Sequence, residues 1–209
     1  MDLPRFVDLR AAQESQRNQA WELAALRGRL VEVSGRGASA TTTAAIELVV
    51  QAQMQAADEP VAWISIASST FYPPDAAASG VDLAALVVIR APDALATVRT
   101  TENLLSSGGF GLLVLDLVAS DCVELPMRTQ GKFVKLAQAH DATVVCLTQK
   151  PAAMASLGSL VSLRMGVKRS HNSDDGARAG KFAIDMHALK DKRRGPGWTQ
   201  RLVRRGPLE

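Results

Sequence analysis

The feature that most limits the fold is a pair of uninterrupted apolar runs, "GLLVLDLV" at residues 111–118 and "TVVCL" at 143–147, separated by the helix-like stretch "TQGKFVKLAQAHD". A strand with one solvated face alternates polar and apolar residues. A run without alternation has both faces covered, which for strands joined through helices means a parallel sheet between helical layers. The same alternation of elements recurs upstream. "RLVEVSG" reads as a strand, "TTTAAIELVVQAQMQAA" as a helix, "VAWISIAS" and "LAALVVIRA" as strands, and "PDALATVRTTENLLSSG" as a helix with Pro92 in its first turn. Ala20, Leu23, Ala24 and Leu26 fall at helical spacing, so residues 11–27 are expected to form a helix ending at Gly28.

Beyond Lys150 the period shortens. "SLVSLRMGVKRS" and "KFAIDMHALKDK" alternate with a period near two around the polar loop "HNSDDGARAG", predicting an antiparallel hairpin that closes the sheet edge, with a mobile loop at residues 170–180. The 209 residues suffice for one α/β domain with an appended tail. No apolar run approaches the ~18 residues needed to cross a membrane, and the opening "MDLPRFVDLRAAQESQ" lacks a signal-peptide core. Cys122 and Cys146 show no ligand spacing and read as reduced core thiols, so a cytoplasmic setting is expected.

Between the first strand and its helix stands "GRGASATT". A phosphate-binding loop reads G-x-x-x-x-G-K-[ST], and with Gly35 as the first glycine the second falls on Ala40, the lysine on Thr41 and the hydroxyl residue on Thr42. A Gly-rich turn alone also suits plain turn geometry. Other chemistry is weaker still. His140, His171 and His187 have no carboxylate or cysteine at metal-ligand spacing, so no metal is expected, and Asp82 and Asp93 sit where turns and helix caps need them.

The formal charge of +3 is unevenly distributed. From Lys190 onward "KDKRRGPGWTQRLVRRGPLE" carries seven basic residues against Asp191 and Glu209, which points to an acidic protein surface or nucleic acid as partner, or to a solvated tail. Lys190, Lys192, Arg193 and Arg194 form one cluster and Arg201, Arg204 and Arg205 a second, with Trp198 between them as an interface anchor or a residue packed on its own domain. Residues beyond Pro196 lie outside the strand and helix pattern, so their removal is expected to leave the fold intact.

The order "LVEVSGRGASATTTAAIELV", "VAWISIAS", "GVDLAALVVIRAPDALATVRTTENLLSSGGFGLLVLDLV", "KFVKLAQAHDATVVCLTQK" and "HALKDKRRGP" resembles the core domain of RecA-type recombinases over residues 29–196. The resemblance implies an α/β, RecA-like core with a mostly parallel central sheet, helices on both faces and a C-terminal antiparallel hairpin. It divides the chain into an N-terminal helix at 1–28, the core at 29–192 and a basic tail at 193–209. In a working ATPase of this family the loop lysine neutralises the phosphates, and a carboxylate after the second strand polarises water. Here Thr41 holds the first place and Ala67 the second. Asp116 matches the metal-binding aspartate and Gln149 the glutamine that senses nucleotide, while Lys190 and Lys192 resemble lysines that reach a neighbour's nucleotide in filaments.

The stand-ins for the family's two DNA-binding loops, "ASDCVELPMRTQ" and "KPAAMASLG", are almost without basic residues. No catalytic residue and no cofactor are expected. A RecA-like core with an emptied ATP site is similar to the ImuA family. That resemblance implies a catalytically inactive adaptor in the SOS response to DNA damage, serving induced mutagenesis and translesion synthesis. Its expected partners are RecA, the polymerase-like protein ImuB and, through ImuB, an error-prone polymerase, with DNA as a further candidate for the basic segment. The alternatives are a SulA-like cell-division inhibitor and a DNA-dependent ATPase.

Overall fold

The computed structural model describes residues 20–36, 40–55, 59–69, 71–120, 124–170 and 181–205. Among the described residues, eight strands form one sheet: β1 (Leu30–Ser34), β2 (Val61–Ile66), β3 (Leu86–Ala91), β4 (Leu112–Asp116), β5 (Thr143–Thr148), β6 (Leu163–Ser170), β7 (Lys181–Asp191) and β8 (Thr199–Arg205). Their spatial order is β3-β2-β4-β5-β1-β6-β7-β8. Every pairing from β3 through β6 is parallel, and β7 and β8 add to the β6 end antiparallel. The expected mostly parallel sheet with a C-terminal antiparallel portion is present.

The helices are α1 (Leu23–Leu26), α2 (Thr41–Gln55), α3 (Pro73–Ala78), α4 (Ala94–Ser107) and α5 (Met127–Ala139). β1, β2, β4 and β5 are buried along their whole length, as their unbroken apolar runs require. Successive side chains on a strand point to opposite faces, and the core divides accordingly. Val31, Val33, Trp63, Val145 and Leu147 meet Ala45, Leu48 and Val49 of α2 on one face. Leu30, Ala62, Ile64, Leu113, Leu115 and Val144 meet Leu105 of α4 and Phe133 and Ala137 of α5 on the other. No described helix is long and apolar enough to cross a membrane.

Local chemistry fixes the element ends. Asp93 caps α4 by accepting the Ala96 amide at 2.7 Å, and Asp82 accepts from Ala84 at the 3-10 turn Leu83–Ala85. Pro92 therefore precedes the cap rather than entering the first turn of α4. Gly108 ends α4 with φ +71°, where a β-carbon would lie 2.8 Å from His140 Nδ1. The sequence pattern missed α3. Pro73 and Pro74 read as breakers, yet the first helical turn has amides with no intrahelical partner, so prolines fit there.

The N-terminal helix expected at 11–27 falls partly on residues 11–19, outside the described set, as do the loop at 171–180 and Cys122. Within the described part the expectation is corrected: only Leu23–Leu26 are helical, as the short α1 that starts after an extended Glu22, so no helix runs through residues 20–22; Leu23 and Leu26 are buried, and Trp21 donates its indole N–H to Ala44 O at 3.1 Å.

The C-terminal segment departs most from expectation. Residues 199–205 are β8, paired with β7 from Lys181↔Arg205 to His187↔Thr199. The edge of the sheet is β8, and the β6–β7 hairpin lies inside it. A short run with arginine at three positions carries little apolar alternation, because its partner strand supplies most of the burial.

Candidate functional site

The positions aligned with a nucleotide site gather at the carboxyl ends of β1, β2, β4 and β5. Parallel register puts them there: Ser34 lies beside Thr148, and Asp116 beside Ser65 and Leu147. Gly35, just after β1, is buried and donates its amide to Thr148 O at 3.3 Å. Ala40 is buried and its carbonyl accepts the Ala44 amide at 2.9 Å, starting α2. Thr41, at the lysine position, is 2% exposed in the first turn, and Thr42 beside it is half-buried. Residues 37–39 lie outside the described set.

Ala67, after β2, is exposed and donates its amide to Ala91 O; Ser68 and Ser69 come next in the chain. Asp116 ends β4 with 3% exposure. Its Oδ2 accepts from Ser69 Oγ at 2.6 Å and its Oδ1 from the Val118 amide at 3.1 Å. Gln149 stands exposed just past β5. Sequence position and parallel register thus bring Gly35, Ala40, Thr41, Asp116 and Gln149 to one end of the sheet, the end where open α/β sheets bind ligands.

Residues 21–140 match the RecA N-terminal domain. The chain belongs to this family. No curated protein matches it. The matched span covers β1 through α5, so the strand-end positions except Gln149 fall within the RecA-type portion, and β5 through β8 lie beyond it.

A buried ionic cluster, missed in the sequence, joins the RecA-type portion to the segment between β5 and β6. Glu32, in the centre of β1, is fully buried with Lys150 and Arg164. Its Oε1 lies 3.3 Å from Lys150 Nζ and accepts from Thr148 Oγ1 at 3.0 Å; its Oε2 accepts the Leu157 amide at 2.8 Å, with Arg164 Nε at 3.8 Å. Arg164 also donates to Ser34 Oγ at 3.1 Å, to Pro151 O at 2.9 Å and to Met154 O. The stretch "KPAAMASLG" is thereby tied to the first strand. Glu32 inside "LVEVS" was the available signal, since a buried charge requires a partner.

A second junction closes over Arg29. Arg29 Nη2 lies 2.6 Å from Asp191 Oδ1, its Nε donates to Ser162 Oγ at 2.8 Å, and Asp191 Oδ2 accepts the Trp198 indole N–H at 3.1 Å. The Arg193 amide donates to Asp191 Oδ1 at 2.9 Å. Burial alone would raise the Asp191 carboxyl, but the Arg193 amide, Arg29 and Trp198 outweigh it and hold the group below its ordinary value. Burial draws Arg29 below the usual guanidinium value, against the opposing pull of Asp191.

This geometry revises the reading of the basic segment. Trp198 is half-buried against the α2-side core rather than presented as an anchor. Lys190 turns inward, donating to Gly158 O and Ser159 O at 3.2 Å, and burial followed by repulsion from Lys192 lowers its pKa. Arg193 donates to Ala25 O and Arg27 O. Arg201 pairs with Asp185 at 3.5 Å, and Arg204 reaches across to Glu47 of α2. Lys192 and Arg194 are exposed on the turn between β7 and β8, and the Arg205 side chain is outside the described set. Lys190, Trp198 and Arg204 are thus engaged within the chain, while Lys192, Arg193, Arg194 and Arg201 are exposed.

Proposed function

We propose that the chain is a RecA-fold adaptor without ATP turnover, of the ImuA type, which serves induced mutagenesis and translesion synthesis by contacting RecA and ImuB. The observation that carries the first half is the pairing of a buried, uncharged Thr41 at the lysine position with an Asp116 whose two oxygens accept from Ser69 and Val118 of the same chain. A phosphate loop works through a mobile cation and backbone amides converging on the β- and γ-phosphates, and threonine supplies no charge. Ala67 adds no water-activating carboxylate. The RecA-type fold supports the second half, because a surface related to RecA is suited to docking against RecA. The fastening of residues 150–157 to Glu32 favours a fixed docking surface over a loop that orders on DNA.

The test has two arms. Purified protein is assayed for ATP turnover, alone and with single-stranded DNA, and its binding to RecA and to ImuB is measured separately. No turnover with binding to either protein supports the proposal. Turnover, or absence of binding to both, overturns it.

A further inference from the structure

The sheet ends in two outermost strands, β3 and β8, each paired on one side only among the described residues. β8 alternates strictly. Gln200, Leu202 and Arg204 are half-buried toward α2, where Gln200 accepts the Trp21 amide at 3.0 Å, Leu202 packs on the core and Arg204 pairs with Glu47. Thr199, Arg201 and Val203 stand exposed on the other face, and Arg201 is drawn onto Asp185 of β7 at 3.5 Å. β8 is thus held along its β7 side and its α2 face, while its outer backbone edge is a template for a further strand.

Edges are commonly guarded by charged side chains, prolines or bulges that obstruct pairing. Here Arg201 and Arg204 are both drawn back over the sheet to Asp185 and Glu47, and no proline or glycine interrupts residues 199–205. Charge then decides what can pair. Residues 192–205 hold six cations, Lys192, Arg193, Arg194, Arg201, Arg204 and Arg205, and no carboxylate. Lys192, Arg193 and Arg194 are exposed on the turn that leads into β8. A second copy of the chain is a poor occupant, since β8 against β8 brings the three arginines of each strand into one seam and β3 offers Arg90 and no carboxylate. A nucleic-acid strand meets the cations but has no peptide groups to continue the ladder.

We propose that β8 is a docking edge for an extended acidic segment of a partner protein, which joins the sheet as a further strand. Main-chain hydrogen bonds to residues 199–205 supply the attachment, as in other strand additions. Carboxylates on the exposed face of the added strand lie beside Arg201 at cross-strand spacing, and those past its end meet Lys192, Arg193 and Arg194. Charge speeds the encounter and backbone pairing holds the complex. This docking mode rests on the adaptor reading and gives it a surface.

The anisotropy of a labelled peptide of alternating glutamate and valine, about as long as β8, is measured with the full chain and with Val203→Glu and Lys192→Glu. Both side chains are exposed, so these variants are expected to melt like the parent. The comparison peptides alternate lysine with valine, alternate glutamate with glycine at the same charge, or carry N-methyl groups on every second residue of the glutamate–valine peptide, in each of the two phases. The expected result is binding of the glutamate–valine peptide, weakened about 10-fold or more by each variant, by the glycine replacement and by one phase of N-methylation, with slower amide exchange within residues 199–205. Absence of binding, equal binding of the glutamate–glycine peptide or of both N-methylated peptides, or displacement of the peptide by a tighter-binding single-stranded oligothymidylate overturns the proposal. RecA and ImuB binding is read separately. Loss of peptide binding with either partner still bound refutes the docking edge and spares the adaptor reading, whereas peptide binding without either partner supports the edge and refutes that reading.

Discussion

The indole Nε1 of Trp198 donates to Asp191 Oδ2 at 3.1 Å, while the opposite oxygen of that carboxylate lies 2.6 Å from Arg29 Nη2. A residue just before β1 and one from the turn before β8 are thus held by a single buried carboxylate. The C-terminal strand and the RecA-type portion are fastened through the same group.

Removal of residues 197–209 is therefore expected to destabilise the protein, contrary to the sequence-based expectation of a dispensable tail. Truncation deletes β8, the Trp198 packing and the Arg204 contact to Glu47, and it leaves Asp191 with one donor fewer. The milder Trp198→Phe loses one hydrogen bond to a charged acceptor, worth about 1.5–3 kcal/mol. Denaturant unfolding of both variants checks the order: the truncation is expected to lose more than the point change. An unaltered midpoint for the truncated chain would refute the fastening.

The depressed Asp191 carboxyl makes stability pH-dependent with a definite sign. The unfolded chain takes up the proton first as pH falls, so the contribution of Asp191 is fully present above the ordinary carboxylate value of 3.8 and is lost as pH drops through the lower folded value. Asp191→Asn is expected to be less stable than the parent at pH 7, with the two curves converging in acid. Unfolding free energies measured from pH 7 to pH 2 provide the comparison, and parallel curves would mean that Asp191 is not the group responsible.

The Glu32 cluster predicts a local effect as well as a global one. Glu32→Gln removes the buried carboxylate that Lys150 and Arg164 share, at a cost of about 3–5 kcal/mol. The Leu157 amide loses a charged acceptor, so its hydrogen exchange is expected to accelerate beyond what the global loss explains. Exchange that only tracks global stability would show that residues 150–157 are held by other contacts.

These contacts also mark what a linear reading can reach. The parallel sheet was legible because burial on both faces leaves runs such as "LLVLD" and "TVVCL" without alternation, and Gly35, Thr41 and Asp116 could be placed because parallel register aligns strand ends. The ionic clusters were not legible, because Glu32 meets the Leu157 amide across 125 positions and Arg29 meets Asp191 across 162. Nothing local pairs them. β8 was hidden for a related reason: Arg201 and Arg204 read as a solvated basic run until Asp185 and Glu47 are seen opposite them.

Thr41→Lys is expected not to confer ATP turnover, for three reasons tied to geometry. Ala40 is buried where the family has glycine, and its β-carbon restricts the backbone that must wrap a phosphate. Thr41 is itself 2% exposed, so a lysine there enters a space built for a small side chain before it can reach a ligand. No carboxylate stands just after β2, where Ala67, Ser68 and Ser69 are found, and Ser69 is already bonded to Asp116. Removing one electrostatic stabiliser of this kind commonly costs about 10² to 10³ in rate, so restoring one of two vacant roles leaves the other deficit in place. The measurement is a turnover assay on Thr41→Lys beside a triple variant that adds Ala40→Gly and Ala67→Glu, with the parent and Asp116→Ala as references. Activity confined to the triple variant agrees with the assignment of the vacant roles. Robust activity in the single variant would locate the water-activating group elsewhere, and steady hydrolysis by the parent, abolished by Asp116→Ala, would contradict the inactive reading itself.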